Sequence, residues 1–272
     1  MKVPPPASMA AVRVPDDPAG LGELLAGEGF VAAGEEADEL LARAAGDRDV
    51  LDALVARRLT GEPLAWIVGS ELFCGLRIAV DPGVYVPRWQ SEQLALRAVE
   101  RLPADGSAID LCTGSGAIAR TLSARRPGAR VVASDADERA VACARRNGVE
   151  AHRGDLFAPL TPLLDGLVDV VVGVVPYVPT PELALLQRDT FTFESALSYD
   201  GGDDGMLVLR RVLVESPCAL RPGGALLLEL GGDQADALDG DLERLGYVDR
   251  RVLVDEDGDV RGIEATLAPA QD

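Results

Sequence analysis

Histidine is nearly missing from the 272 residues: there is one, His152. A lone imidazole cannot hold zinc without cysteine partners at ligand spacing. The four cysteines (Cys74, Cys112, Cys143, Cys218) are scattered and form no C-x-x-C pair. The G-x-S-x-G elbow of serine hydrolases is also absent, since Gly114-Ser115-Gly116 lacks its framing residues. Metal hydrolases and serine hydrolases are therefore disfavoured, and scattered thiols point to a reducing, cytoplasmic setting. No apolar run approaches the ~18 residues of a membrane span. The proline-rich start, Met1 to Ala10, has neither the basic nor the apolar region of an export signal. Positive charge is short as well: 26 basic residues face 45 acidic ones, for a net charge of −19. Such a field repels phosphate backbones and anionic lipid, so neither nucleic acid nor membrane is expected as a partner. The best basic pairs, Arg125-Arg126 and Arg145-Arg146, fall where helix surface is expected.

What is present is apolar: 47% of the chain, enough to bury a sizeable core. Three organisational segments are expected: a tail and small helical domain over 1–70, a β-hairpin linker over 71–95, and a catalytic domain over 96–272. Residues 1 to about 18 read as a mobile tail. Three helical stripes follow: Leu21, Leu24 and Leu25; Glu35 to Ala45 with Leu40, Leu41 and Ala44; and Arg48 to Leu59 with Leu51, Leu54 and Val55. From Leu72 the period becomes two. Leu76, Ile78 and Val80 alternate, Asp81-Pro82-Gly83 supplies a turn, and Val84 and Val86 resume, which predicts a hairpin. Beyond Arg88, short apolar runs end at Asp110, Asp135, His152, Gly173 and Gly231. They alternate with helical stretches over Ala117–Ala124, Glu138–Asn147 and Met206–Leu220. Strands covered on both faces by crossover helices have this look. Arg251–Val254 and Ile263–Leu267 flank an acidic turn and predict a closing antiparallel hairpin. The fold class expected is α/β: a doubly wound Rossmann-like sheet with an antiparallel edge strand, preceded by a small helical bundle and a β-hairpin.

In an open α/β sheet the ligand lies at the carboxyl ends of the strands. The first such end reads Asp110-Leu111-Cys112-Thr113-Gly114-Ser115-Gly116, a glycine loop opening onto a helix. Followed by Ala119 it also fits a dinucleotide fingerprint, so an NAD dehydrogenase stays open. Carboxylates tilt the reading. Asp110 stands four residues before Gly114, where it favours a cationic or amine-bearing ligand and repels pyrophosphate. Asp135 ends the next strand, placed to accept ribose hydroxyls. Asp155, before Leu156, ends the third and is placed to accept from an adenine amino group. Acids at three successive strand ends suit S-adenosylmethionine, which carries a sulfonium, an amine, a ribose and adenine but no phosphate.

The ordered set of motifs resembles the HemK/PrmC family of protein-(glutamine-N5) methyltransferases. It comprises Gly61-Glu62-Pro63-Leu64; Asp81 to Arg88 with Ser91-Glu92; the Asp110–Gly116 loop; and Gly154-Asp155-Leu156-Phe157. Phe193-Glu194, Gly201 to Gly205, and Leu228 to Gly231 with Gln234 complete it. The resemblance covers roughly Gly61 to Leu267, with an N-terminal bundle shorter than usual. It implies methyl transfer from S-adenosylmethionine, with S-adenosylhomocysteine as product. By that resemblance the cofactor is held by Asp110, Cys112, Thr113, Gly114, Ser115, Gly116, Asp135, Asp155, Leu156 and Val174. Val175, Pro176 and Tyr177 position the acceptor.

One departure matters. Where the family has Asn-Pro-Pro-Tyr, this chain has Val174-Val175-Pro176-Tyr177, and Thr192 and Ser195 flank Phe193-Glu194 in place of Arg and Pro. An amide nitrogen is a poor nucleophile. The family's asparagine and a backbone carbonyl accept its N–H bonds and turn the lone pair toward the methyl group. Valine has no acceptor, and losing one positioned polar contact costs about 10²–10³ in rate. The first expectation is thus N-methylation of another acceptor, a small metabolite held in a closed pocket beside Tyr177. The alternatives are a protein glutamine entering an open groove, or a cofactor-binding protein that has lost turnover. Oligomeric state leaves no mark on the sequence.

Overall fold

The computed structural model describes residues 14–160, 167–186 and 192–269. The chain divides into two compact units, Met1–Val68 and Gly69–Asp272.

The first unit packs α1 (Pro18–Gly27), α2 (Ala33–Ala44), α3 (Arg48–Arg58) and the short α4 (Leu64–Val68). Asp17 caps α1 by accepting from Gly20 N, and Pro18 fills the first position, where its missing N–H costs nothing. Asp47 caps α3 in the same way. The leucines of the three predicted stripes form one cluster, with Leu24 and Leu41 half-buried at its margin, closed by Ile67 of α4, which the pattern did not announce. Val14 packs on that cluster too. The last part of the expected tail is therefore anchored at Val14, and residues 1–13 of it lie outside the described residues. No helix among the described residues is long and apolar enough to cross a membrane.

The second unit opens with a hairpin of β1 (Ser70–Phe73) and β2 (Leu76–Ala79). This corrects the predicted hairpin, which placed the turn at Asp81-Pro82-Gly83. Cys74 (φ 50°) and Gly75 (φ 76°) take consecutive left-handed conformations, the geometry a two-residue hairpin turn requires. Alternation alone cannot tell which of two neighbouring turns closes the pair. Val84 and Val86 are buried in a segment that is not a strand; it is held by side chains described below.

The main sheet has seven strands in the order β5-β4-β3-β6-β7-β9-β8. They are β3 (Ser107–Leu111), β4 (Arg130–Asp135), β5 (Glu150–Arg153), β6 (Val168–Gly173), β7 (Leu220–Glu229), β8 (Tyr247–Val254) and β9 (Val260–Leu267). The first five run parallel. β9 runs against β7, and β8 turns back outside it, so the antiparallel edge is a hairpin. The helices are α5 (Glu92–Arg101), α6 (Ala117–Arg125), α7 (Glu138–Arg146), α8 (Leu207–Glu215) and α9 (Gln234–Arg244). Every residue of β6 is buried, because both faces are covered. Ile109, Leu111 and Val171 join the cluster under α8 and α9, while Ala108, Val170 and Val172 join the one under α5 and α6. The predicted helix over Met206–Leu220 is shorter: Pro217 stands in a 3-10 turn, Ser216–Cys218, and Leu220 already belongs to β7. At the far edge Arg97 and Arg101 of α5 both pair with the buried Glu264 of β9.

The chain steps from β3 to β4 and β5 on one side, then returns to place β6 on the other. The switch point lies between β3 and β6, and a crevice opens there at the carboxyl ends.

Candidate active site

A cavity of about 220 Å³ occupies that crevice. Cys112 and Gly114 line it after β3, Ser134 and Asp135 from β4, and Gly154, Asp155 and Leu156 after β5. Val174 and Pro176 come after β6, and Arg211 reaches in from α8. A smaller inner cavity shares Tyr85, Cys112, Gly114 and Val174 with it and adds Asp110, Thr113, Ser115 and Ser91.

The loop after β3 has left-handed residues at Cys112, Gly114 and Gly116. At Gly116 a Cβ would sit 3.0 Å from Ala144 Cβ and Val149 Cγ2, so bare backbone is what lets α6 start this close to α7. At Gly114 a Cβ would meet nothing nearer than Tyr85 Cβ at 4.0 Å; the missing side chain leaves the wall open to a ligand.

Asp110 is 1% exposed. It accepts from Thr113 Oγ1 (2.6 Å) and Ala119 N (3.1 Å), tying the strand, the loop and α6 together. Both bonds go to Oδ2, and Asp110, which the sequence reading gave to a cationic ligand, also lines the inner cavity. Burial, with the nearby Asp135 charge, pushes its pKa up to about 7 against the Thr113 and Ala119 bonds. Between the unfolded value near 3.8 and about 7, the folded state keeps a proton that the unfolded state has lost. Stability is therefore fullest at the acid end and falls as pH rises through that window, by up to about 4 kcal/mol. Asp110→Asn is expected to flatten this loss. Thermal melts of the two proteins from about pH 5 to pH 8 check it, and parallel profiles contradict it.

Asp135 closes the cavity floor. Its Oδ2 accepts from Gly114 N and its Oδ1 from Asp137 N, both at 2.9 Å, so one carboxylate fixes two loops and faces the cavity. Burial raises its pKa, partly offset by those backbone donors. Ser134 Oγ donates to Leu156 O at 2.7 Å, which sets the loop after β5. Asp155 lies at the rim and takes two bonds from Arg211, at 3.1 and 2.8 Å. Cys112 is a wall residue, and burial pushes its thiol above the ordinary range.

The segment after β6 is split. Val174 and Pro176 line the main cavity; Val175 is 1% exposed and packs in the core. Tyr177 lines neither cavity. Its hydroxyl donates to Glu229 Oε1 at 3.1 Å and its carbonyl accepts from Gln234 Nε2 at 2.8 Å. With Val178, Pro179, Glu182, Met206 and Gln234 it lines a separate open groove of about 620 Å³.

Sequence reasoning assigned no role to Tyr85, Arg88, Glu194, Tyr199 and Arg211. Glu194, with a side chain 1% exposed, accepts from Val86 N (2.9 Å), Arg88 Nη2 (2.6 Å) and the Tyr199 hydroxyl. It thereby clamps the Gly83–Tyr85 wall. The only signal was two short motifs, Pro87-Arg88 and Phe193-Glu194, whose meeting no periodicity foretells.

The donor set suits S-adenosylmethionine: carboxylates and a glycine backbone, with no cluster of phosphate-binding cations among the described lining residues. No His/Cys/Asp/Glu group able to hold a metal exists among the described residues.

Comparison with known proteins leads the same way. Residues 76–160 match the family "Methyltransferase small domain". A methyltransferase structure from Pyrococcus furiosus shares the fold, with TM-score 0.54 and 21% identity over 80% of this chain and 99% of that one. The release factor glutamine methyltransferase of Geobacter sulfurreducens is 37% identical over 211 residues, 75% of this chain and 73% of that one. That of Neisseria gonorrhoeae is 38% identical over 214 residues, 76% and 78% of the two chains. Likeness of this extent makes the chain a member of the HemK/PrmC family of release factor glutamine methyltransferases, enzymes dependent on S-adenosylmethionine.

Proposed function

We propose that this enzyme transfers a methyl group from S-adenosylmethionine to the side-chain amide of a glutamine in a polypeptide release factor. The observation that carries the reading is the open groove beside Tyr177. Tyr177, which lines it, follows directly on Pro176, which lines the main cavity, and a protein loop needs such an approach. The relatives described above are named for this acceptor. A small metabolite, first in the sequence reading, finds no support in them.

Asp135 accepts the ribose hydroxyls, Gly114 lets backbone approach the ligand, and Asp155 and Leu156 face the adenine. Asp110, Thr113, Ser115 and Gly116 shape the loop. The cofactor supplies an electrophilic methyl on a sulfonium and leaves as S-adenosylhomocysteine. Val175 contributes its backbone carbonyl, and Pro176 the wall against which the acceptor rests. With acceptor and methyl held in line, positioning provides most of the acceleration.

Val174 supports a second reading, a different nitrogen acceptor that needs no N–H clamp. Val174→Asn separates the two. On the glutamine reading it raises methylation of release factor by about tenfold or more, measured as labelled methyl transfer. No gain favours the other acceptor.

A further inference from the structure

Methylating an amide nitrogen sets free a proton, and the reacted nitrogen is too weak a base to keep it. The carboxylates lining the main cavity are all engaged. Asp135 holds two backbone amides, Asp137 pairs with Arg139, and Asp155 pairs with Arg211. Glu229 is different. It ends β7, is 5% exposed, and its Oε2 has no hydrogen-bond partner among the described residues. A buried carboxylate oxygen left this way costs stability, and its retention asks for a reason. Its other oxygen accepts from the Tyr177 hydroxyl, which leaves the phenol's lone pairs free to accept in turn.

We infer that Glu229, acting through the Tyr177 hydroxyl, takes up the proton that amide methylation releases, and that the pair replaces part of the N–H clamp absent at Val174. The inference rests on the amide acceptor proposed above. The new N–C bond forms as the methyl's bond to sulfur breaks, and that bonding pair leaves on sulfur. The nitrogen's proton passes to the Tyr177 oxygen while the phenol's own proton passes to Glu229 Oε1. The phenol is restored, the carboxyl group ends protonated, and loss of that proton to solvent resets the site. Glu229 is thus a positioning and proton-accepting residue that acts through Tyr177.

Its surroundings agree. Burial raises the Glu229 pKa, while the Ser91 hydroxyl, without a bond of normal geometry, the Tyr177 hydroxyl and the Arg261 guanidinium of β9 favour the ionised form; the net shift is upward. Tyr85, which lines both cavities with its neighbours, also faces it electrostatically. A carboxylate raised in this way is the better proton acceptor. Burial and the Glu229 charge hold the Tyr177 phenol above its ordinary range, so it relays as a neutral phenol.

The test uses Glu229→Gln and Tyr177→Phe. The first keeps the shape and loses the base; the second keeps the base and cuts the relay. Single-turnover transfer to a purified release factor is followed across pH at saturating S-adenosylmethionine. The wild-type rate rises with pH to a plateau as Glu229 ionises. Both variants are expected to fall on the order of 10²-fold in rate, with that rise flattened and cofactor affinity unchanged. Infrared titration provides a readout without turnover: a protonated carboxyl band that grows in above the usual glutamate range and is missing from Glu229→Gln. Full rates with an unaltered pH profile in both variants, or a Glu229 band titrating in the ordinary range, overturn the inference alone. A wild type that methylates no release factor overturns the acceptor reading and this inference with it.

Discussion

Asp135→Ala is expected to weaken binding of S-adenosylmethionine by about 10²–10³-fold, the largest effect of any single change to the cofactor site. Two contributions add. Hydrogen bonds between a carboxylate and ribose hydroxyls are worth about 1.5–3 kcal/mol each when buried. The same carboxylate holds Gly114 N and Asp137 N at 2.9 Å, so its loss also frees the loops on either side of the ligand. Calorimetric titration reads the affinity. Circular dichroism shows that the fold survives, because the sheet beneath is packed independently of this side chain. Affinity within a few-fold of wild type would mean that the ribose lies elsewhere.

The second large effect is on stability, and it is asymmetric. Glu194 has a side chain 1% exposed, whereas its partner Arg88 is 38% exposed. Arg88→Met strands a carboxylate in the interior with Val86 N and the Tyr199 hydroxyl as its remaining donors among the described residues. Breaking a buried pair from this side costs about 3–5 kcal/mol. Glu194→Gln instead leaves a guanidinium that can turn toward water, and the new amide still accepts from Val86 N, so it should cost clearly less. For a domain of this size the first change lowers the melting temperature by roughly 10 °C. Equal losses, or the reverse order, would mean that the ion pair does not hold the Gly83–Tyr85 wall as described.

Much of this was legible in the sequence because its cause is local. Short valine and alanine runs announce strands covered on both faces, as β6 illustrates. Gly116 declares a close approach, and Asp135 a strand end. What escaped was non-local. The hairpin turn fell at Cys74-Gly75 because two turn-like dipeptides compete and alternation fits either. The short α4 carries too little periodicity to stand out, and of the exposed edge strand β8 only the second half, Arg251–Val254, was visible in the sequence. Asp110 has the right place for a ligand contact, but the sequence cannot show that one of its oxygens braces the loop through Thr113 and Ala119. Tyr177 was read as a wall of the acceptor pocket, and only the folded chain shows its hydroxyl turned to Glu229. The clamp on the Tyr85 segment joins residues more than a hundred positions apart, beyond the reach of any pattern.

The valine at 174 is the point on which the chemistry turns. The family's amide-orienting side chain is gone, yet the cavity, the glycine loop and the open groove at Tyr177 remain. The central claim is that a release factor glutamine still receives the methyl group. It is tested most directly by incubating purified release factors with the enzyme and trideuteromethyl-labelled cofactor, then locating the label by tandem mass spectrometry. The account predicts one labelled glutamine side chain in an exposed release factor loop. Label on another residue type, or none on release factor while free amines or metabolites become labelled, would contradict it.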